Sequence, residues 1–313
     1  MLALASPASL KGVLTAAAAA EALAAGLRAG GADAIELAVA DGGEGTADVL
    51  FGTLGGEWRA AQVVDAFGAP RETAWLLLPD GTAVVEAAAA VPLDPARLDP
   101  LTASSRGFGE LIAAALAAGA RSLALPLGGT ATMDGGAGLL EALDALPVAA
   151  VALCDVRTTL WEAPRVFGPQ KGASPADVAL LERRLALRHE LVPYAELAGA
   201  GAAGGLGAAL AGLGAQLVPG AAWVLDAIRF GDRLRGADLV VTGEGRVDAS
   251  TRAGKAPAAV AAAAREAGVP CVVFGGVVQE PLPGDETIAL SGDPDAAAAD
   301  LAALGAELAA RGR

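Results

Sequence analysis

The chain has a single histidine, His189, and two cysteines, Cys154 and Cys271, among its 313 residues. One imidazole is too few for a multi-histidine metal site. Its setting in a polar helical stretch, Leu180 to Glu190, marks it as a surface residue rather than the base of a serine hydrolase. Both cysteines lie in apolar runs and read as buried free thiols of a reducing compartment, not as a disulfide. Lysine is nearly absent: Lys11, Lys171 and Lys255 are the only three, each beside a glycine, while arginine serves elsewhere. A compact ammonium next to a permissive backbone suits phosphate binding. Charged residues make up only 19% of the chain and the net charge is −14, which argues against nucleic acid or an acidic membrane surface as partner. No basic segment precedes the opening apolar run, so no signal peptide is expected. The long uncharged stretch Leu197 to Leu225 is built of Gly and Ala around Gln216 and Pro219, too weakly hydrophobic to span a bilayer. The expectation is a soluble, cytoplasmic protein that handles small molecules; self-association into a homodimer is left open.

What the chain does have is apolar material, 54% of its residues, and enough length for two domains. Leu2 to Ser6 reads as a strand, Val13 to Arg28 as a helix stopped by Gly30-Gly31, and Ile35 to Val39 as a second, parallel strand. Arg71 to Leu78 and Thr82 to Ala87 flank Pro79-Asp80-Gly81 as a β-hairpin. A helix over Gly109 to Ala118, a strand over Ser122 to Leu127 and a glycine loop, Gly128 to Gly138, follow, the loop opening a helix through Leu146. Val148 to Leu153 is a further strand, and Ser174 caps a helix with Pro175 at its first position. Strand and helix alternate again at the end: strands over Ala237 to Val241, Cys271 to Phe274 and Thr287 to Leu290, helices over Ala256 to Ala267 and Pro294 to Arg311. The fold class is therefore α/β: a flavodoxin-like doubly wound parallel sheet from residues 1–62 plus 230–313, interrupted by a second α/β domain with a β-hairpin, residues 63–229. The active site is expected in the cleft between the two.

Ligands of open parallel sheets bind beyond the carboxyl ends of the strands, where strand order reverses. The loops expected there are Pro7 to Gly12, Asp41-Gly42-Gly43-Glu44-Gly45-Thr46 and Gly243 to Asp248. They offer Lys11, Asp41, Glu44, Glu244, Arg246 and Asp248, with Lys255 at the start of the next helix. Acids and bases in glycine loops suit a phosphate with a divalent cation; inter-loop ion pairs alone would give the same pattern. Gly128, Gly129, Thr130, Asp134, Gly135 and Gly136 form a strand–loop–helix start that can cradle an anion on backbone amides, with a tight turn as the alternative. Two apparent motifs fail. Gly199 to Gly204 spells G-x-G-x-x-G but follows no strand, and Gly254-Lys255 lacks the first glycine and the hydroxyl residue of a P-loop, with Ala249 and Ala256 in those places.

Taken together, Ser6 to Gly12, Asp41 to Thr46, Gly128 to Gly138, Val166 to Gly172, Gly199 to Gly207, Thr242 to Asp248 and Gly254 to Pro257 resemble the bacterial class I glycerate kinases in order and spacing. The resemblance implies ATP-dependent phosphorylation of D-glycerate with Mg2+, usually to 2-phosphoglycerate. It places Asp41 as metal ligand or general base and Lys11 and Lys171 as phosphate or carboxylate partners. Asp41 and Asp248 become the metal candidates, Asp248 with Glu244 an alternative pair, and Arg246 and Lys255 neutralise transition-state charge; Glu44 joins the catalytic set. The chain departs from the family pattern at Ala8, where an Asp is usual, at Met133, where an Asn is usual, and over Arg157 to Glu162. Those departures support the alternative of a relative that binds a small organic anion or nucleotide without chemistry.

Overall fold

The computed structural model describes residues 1–252 and 254–312. Eleven strands run in chain order: β1 (Leu2–Ala5), β2 (Asp33–Glu36), β3 (Glu57–Val64), β4 (Pro70–Leu77), β5 (Thr82–Val84), β6 (Ser122–Pro126), β7 (Ala149–Cys154), β8 (Gln216–Pro219), β9 (Leu239–Val247), β10 (Cys271–Val278) and β11 (Glu286–Ala289). The α-helices of the first half are α1 (Ala16–Ala29), α2 (Thr46–Leu54), α3 (Ala87–Ala90), α4 (Arg106–Ala117) and α5 (Ala137–Ala142). Those of the second half are α6 (Ala163–Phe167), α7 (Pro175–Ala186), α8 (Ala202–Gly212), α9 (Gly220–Ala227), α10 (Phe230–Leu234), α11 (Ala249–Arg252), α12 (Ala256–Glu266) and α13 (Ala297–Arg311). No helix among the described residues is long and apolar enough to cross a membrane.

The chain divides into two compact units: Met1–Asp41, Asp48–Thr53 and Ala221–Arg313 form the first, Gly42–Ala47 and Leu54–Gly220 the second. The expected boundaries at 62 and 230 are displaced. A cut at 62 would split β3, which pairs with β4 over its whole length from Glu57↔Leu77 to Val64↔Pro70. The residues after Gly220 join the first unit, where Val224 packs on Ala16, Ala40 and Val49.

The first unit has one parallel sheet in the order β11-β10-β9-β1-β2, the doubly wound flavodoxin order. Its core faces α1, whose buried Ala16, Ala19, Ala20, Leu23, Ala24 and Leu27 recur at helical spacing. Thr15 caps that helix, accepting the Ala18 amide at 3.1 Å. α1 packs backbone to backbone on α13, because Gly26 and Gly305 leave no Cβ to hold them apart: one at Gly26 would stand 1.9 Å from the Ala302 carbonyl oxygen.

Two strands of this sheet differ from their expected extents. β2 ends at Glu36 rather than Val39, although Leu37 and Val39 still donate to the Ala5 and Pro7 carbonyls. Pro7 has no amide to return, so the ladder thins there. β9 continues through the segment expected as a loop: Glu244 pairs with Gly275 and Arg246 with Val277. That extension needs a bare backbone at Gly243, where a Cβ would stand 2.2 Å from the Phe274 carbonyl oxygen.

The second unit has a sheet in the order β3-β4-β5-β6-β7-β8, antiparallel from β3 to β5 and parallel from β5 to β8. The β4–β5 hairpin stands where the Pro-Asp-Gly turn placed it, with Leu77 opposite Ala83. The alternation of Glu57-Trp58-Arg59-Ala60 breaks at Ala61 and is too short to mark β3; it is an exposed edge strand, which polar residues guard. Phe108, Leu111 and Ile112 of α4 and Leu123 and Leu125 of β6 fill the core. α5 stops at Ala142 rather than Leu146, in accord with Pro147 downstream.

Candidate active site

In the first unit, strand order reverses between β1 and β9, and the polar residues gather at their carboxyl ends. The segment after β1 runs on along β9: Ser6 donates its amide to the Val241 carbonyl at 2.8 Å, and Ala8 to that of Gly243 at 2.9 Å. The Thr242 hydroxyl donates to the Ser6 carbonyl at 2.7 Å. The chain then turns through exposed Lys11 and Gly12, the latter at φ 77°. Beside this turn Gly245 brings β9 against the backbone of Leu10 and Lys11.

Glu244 is the hub of the cluster. Its side chain is 13% exposed and lies 3.6 Å from Lys255 Nζ. The Thr251 hydroxyl donates to Glu244 Oε1 at 2.7 Å and accepts the Asp248 amide at 3.1 Å. Burial pushes the Glu244 carboxyl up, and the charge of Asp41 adds to that, while the Thr251 hydroxyl and Lys255 pull it down. A carboxylate held in this balance, near an acid and a lysine, is poised for proton transfer or cation binding. Asp41, Glu244 and Lys255 are therefore brought together.

Asp248 is turned to another use. It accepts the Ser250 amide at 2.8 Å and its hydroxyl, bonds that hold the carboxyl below its usual range, led by the hydroxyl. It thus turns the chain into α11, while Asp41, the other member of the expected metal pair, lies close enough to Glu244 for its charge to act there. Among the described residues no group of three or more His, Cys, Asp or Glu is placed to hold a metal ion by itself. Two neighbouring carboxylates whose charges oppose each other fit magnesium, which takes one or two carboxylates plus substrate phosphate oxygens. Arg246 is exposed on β9.

In the second unit, the Gly42–Ala47 segment lies over the carboxyl ends of the parallel strands. Gly42 abuts Leu153 and Gly220, Gly43 lies under Gly128, and Glu44 borders Gly129. Glu86, at the end of β5, accepts the Ala47 amide at 2.7 Å and the Gly45 amide at 3.4 Å. It neutralises the start of α2. No motif marks Glu86; only the pairing of β5 with β6 brings it to this edge.

The Gly128–Gly138 loop is held largely by internal partners. Asp134, expected to meet a ligand, accepts the Ser105 amide at 2.9 Å and hydroxyl at 2.8 Å, the Gly136 amide at 3.0 Å and the Gly138 amide at 3.1 Å. Gly135 donates to the Gly204 carbonyl at 3.0 Å. The amides of Gly135, Gly136 and Gly138 are thus engaged inside the protein, and the helix start is capped by the chain's own carboxylate. The earlier half is zipped to Val91–Leu93, with Leu93 donating to Gly129 at 2.8 Å, Ala131 to Val91 at 3.1 Å, and Thr130 bridging Pro92. The Gly199–Gly207 run is a packing surface: a Cβ on Gly204 would stand 2.1 Å from the Thr132 carbonyl oxygen. Met133 is buried against Ala163 and Leu181, so that departure serves the core.

Lys171 is not at a surface open to ligand. It is 3% exposed, and its Nζ donates to the Thr132 carbonyl at 2.8 Å. Burial lowers its pKa from 10.5 to about 7, opposed by Asp134.

A flavodoxin-type unit with an acid–lysine cluster at its switch point, joined to an α/β unit built on a glycine loop, defines a two-unit α/β enzyme of phosphate chemistry. Comparison with known proteins says which. The pattern of the Glycerate kinase family matches residues 3–150 and 145–289. The chain is 36% identical to the glycerate 2-kinase of Escherichia coli (strain K12) over 318 residues, covering 86% of this chain and 84% of that protein. It is 37% identical to the glycerate kinase of Bacillus subtilis (strain 168) over 322 residues, covering 87% and 84%. It also superposes on the crystal structure of a protein described as glycerate kinase 2 from Salmonella typhimurium LT2, with a TM-score of 0.83 and 32% identity, covering 99% of this chain and 98% of that one. The chain belongs to the glycerate kinase family and is a kinase.

Proposed function

We propose that this chain is a cytoplasmic, ATP-dependent kinase that phosphorylates D-glycerate with magnesium, giving 2-phosphoglycerate. The observation that supports the reading is the cluster of Asp41, Glu244, Thr251 and Lys255 at the carboxyl end of β9, beside the lysine turn after β1. Glu244, its carboxyl raised by burial, takes the proton of the glycerate hydroxyl as that oxygen bonds to the γ-phosphorus. The bond from that phosphorus to its bridging oxygen breaks, and ADP leaves with the electron pair. Asp41 would hold magnesium, which would supply charge neutralisation on the phosphate oxygens. Lys255 and Lys11 neutralise charge on the transferring group, and Arg246 on β9 adds to the field over the nucleotide.

Ala8 sharpens the choice of base. Its amide meets Gly243, one residue before Glu244, so the carboxylate nearest in sequence to that contact is Glu244. The test is an ADP-release assay with D-glycerate and magnesium, followed by 31P and 1H NMR of the product. Turnover well above the glycerate-free background with phosphate on the 2-hydroxyl is expected. No glycerate-dependent ADP release at millimolar substrate would sink the proposal, and phosphate on the 3-hydroxyl would correct its regiochemistry.

A further inference from the structure

We propose that Lys171 is a positioning residue that holds the Gly128–Gly138 loop by its Thr132 carbonyl in the form the kinase reaction uses, an inference that rests on the kinase reading. Thr132 is itself buried, with its hydroxyl on the Ala203 carbonyl at 2.9 Å, and Lys171 Nζ takes the other end of the same residue at 2.8 Å. The ammonium has three protons. The Thr132 carbonyl is its one hydrogen-bond partner among the described residues.

For packing alone this is a poor choice of side chain. The side chain is 3% exposed, its acceptor Thr132 precedes Met133 of a buried apolar cluster, and an uncharged side chain would carry no charge to desolvate. The short 3-10 turn Pro169–Lys171 exists to deliver the side chain: Pro169 starts it, and Gly172 ends it at φ 95°. Gly172 then lies against Leu98, with no room for a Cβ. The Thr132 carbonyl is therefore held by a buried ammonium that costs stability to keep.

The charged groups around Lys171 come from two elements. Asp134, on the loop, faces it and favours the ammonium. Arg188, beyond α7, holds the Asp134 carbonyl at 3.0 Å and is paired with Glu190. Burial outweighs Asp134, so Lys171 changes charge near neutral pH.

The experiment compares the full-length protein with Lys171→Met, which removes the donor, and Lys171→Gln, which keeps a neutral one. Hydrogen exchange followed by mass spectrometry reads the loop directly and does not depend on turnover. Peptides covering residues 128–138 should exchange at least about tenfold faster in the Met variant and near the wild-type rate in the Gln variant. With D-glycerate and ATP, kcat should fall at least about tenfold in Lys171→Met with KM for glycerate little changed. Unchanged loop exchange in Lys171→Met would overturn the inference whether or not the chain phosphorylates glycerate. Loss of activity with unchanged loop exchange would overturn it equally, because Lys171 would then act on the reacting groups. A wild type inactive on glycerate but with a Lys171-dependent loop would defeat the functional reading and leave the latch standing.

Discussion

Two segments of this chain share one signature, glycines around an acid after a parallel strand, and the fold uses them in opposite ways. At Thr242–Asp248 the acid Glu244 is shared among a hydroxyl, a lysine and a second carboxylate, and burial raises its pKa. At Gly128–Gly138 the acid Asp134 has four donors of its own and caps the helix that follows. A carboxylate in opposed fields is able to change state during a reaction. One saturated with hydrogen bonds is a structural part. Glycines play matching roles, since Gly245 makes room at the lysine turn and Gly136 takes the left-handed φ of 71° that closes the cap.

Substitutions can break this contrast. The largest effect expected is on turnover: Glu244→Gln should lower kcat on the order of 10²- to 10³-fold with little change in melting temperature, checked by steady-state kinetics beside calorimetry. The mirror experiment is Asp134→Ala, which leaves several buried donors without an acceptor. It should cost about 3 kcal/mol in urea denaturation. Full stability with lost turnover in that variant would erase the distinction between the two loops.

Lys171 extends the comparison to pH. Its pKa lies near 7 in the folded chain against 10.5 unfolded, so between those values the unfolded state binds more protons. Stability from this group therefore rises with pH across that window, and the burial penalty is full below it. Lys171→Met should be more stable than the wild type by a few kcal/mol at pH 6, and the gap should shrink by pH 10. Parallel thermal melts over that range would show it, and a gap independent of pH would refute it.

A finer probe is Asp41→Asn. Removing the like charge lowers the Glu244 pKa, so the acidic limb of kcat/KM should move to lower pH while turnover falls. An unmoved limb would show that the two acids are not coupled. The smallest effect expected is at Ser6, after the end of β1, whose buried hydroxyl has no hydrogen-bond partner among the described residues. Ser6→Ala should be neutral or stabilising within about 1 kcal/mol in the same denaturation assay.

Much of the architecture was legible in the residues. The βαβ opening, the Pro79-Asp80-Gly81 hairpin and the Ser174 cap are local, each resting on turn chemistry or periodicity a few residues long. β3 and β8 were missed because an exposed edge strand and a strand in a glycine–alanine run carry too little of that alternation. Of the candidate residues, Asp41, Glu244 and Lys255, read from acids and lysines beside glycines, lie together in the fold, and Lys11 is exposed on the turn after β1. Glu86 carried no such mark, and Asp134, Asp248 and Lys171 were found but given ligand-binding roles where the fold gives them internal partners.

The sequence by itself determined the fold class, the family and the short roster of acids and lysines from which a phosphate site can be built. These follow from local spacing and from motif order along the chain. Only the tertiary structure decided which of those groups stay available for chemistry. Availability depends on whether residues distant in sequence, Ser105 at Asp134 or Thr132 at Lys171, satisfy a polar group that burial has taken from water.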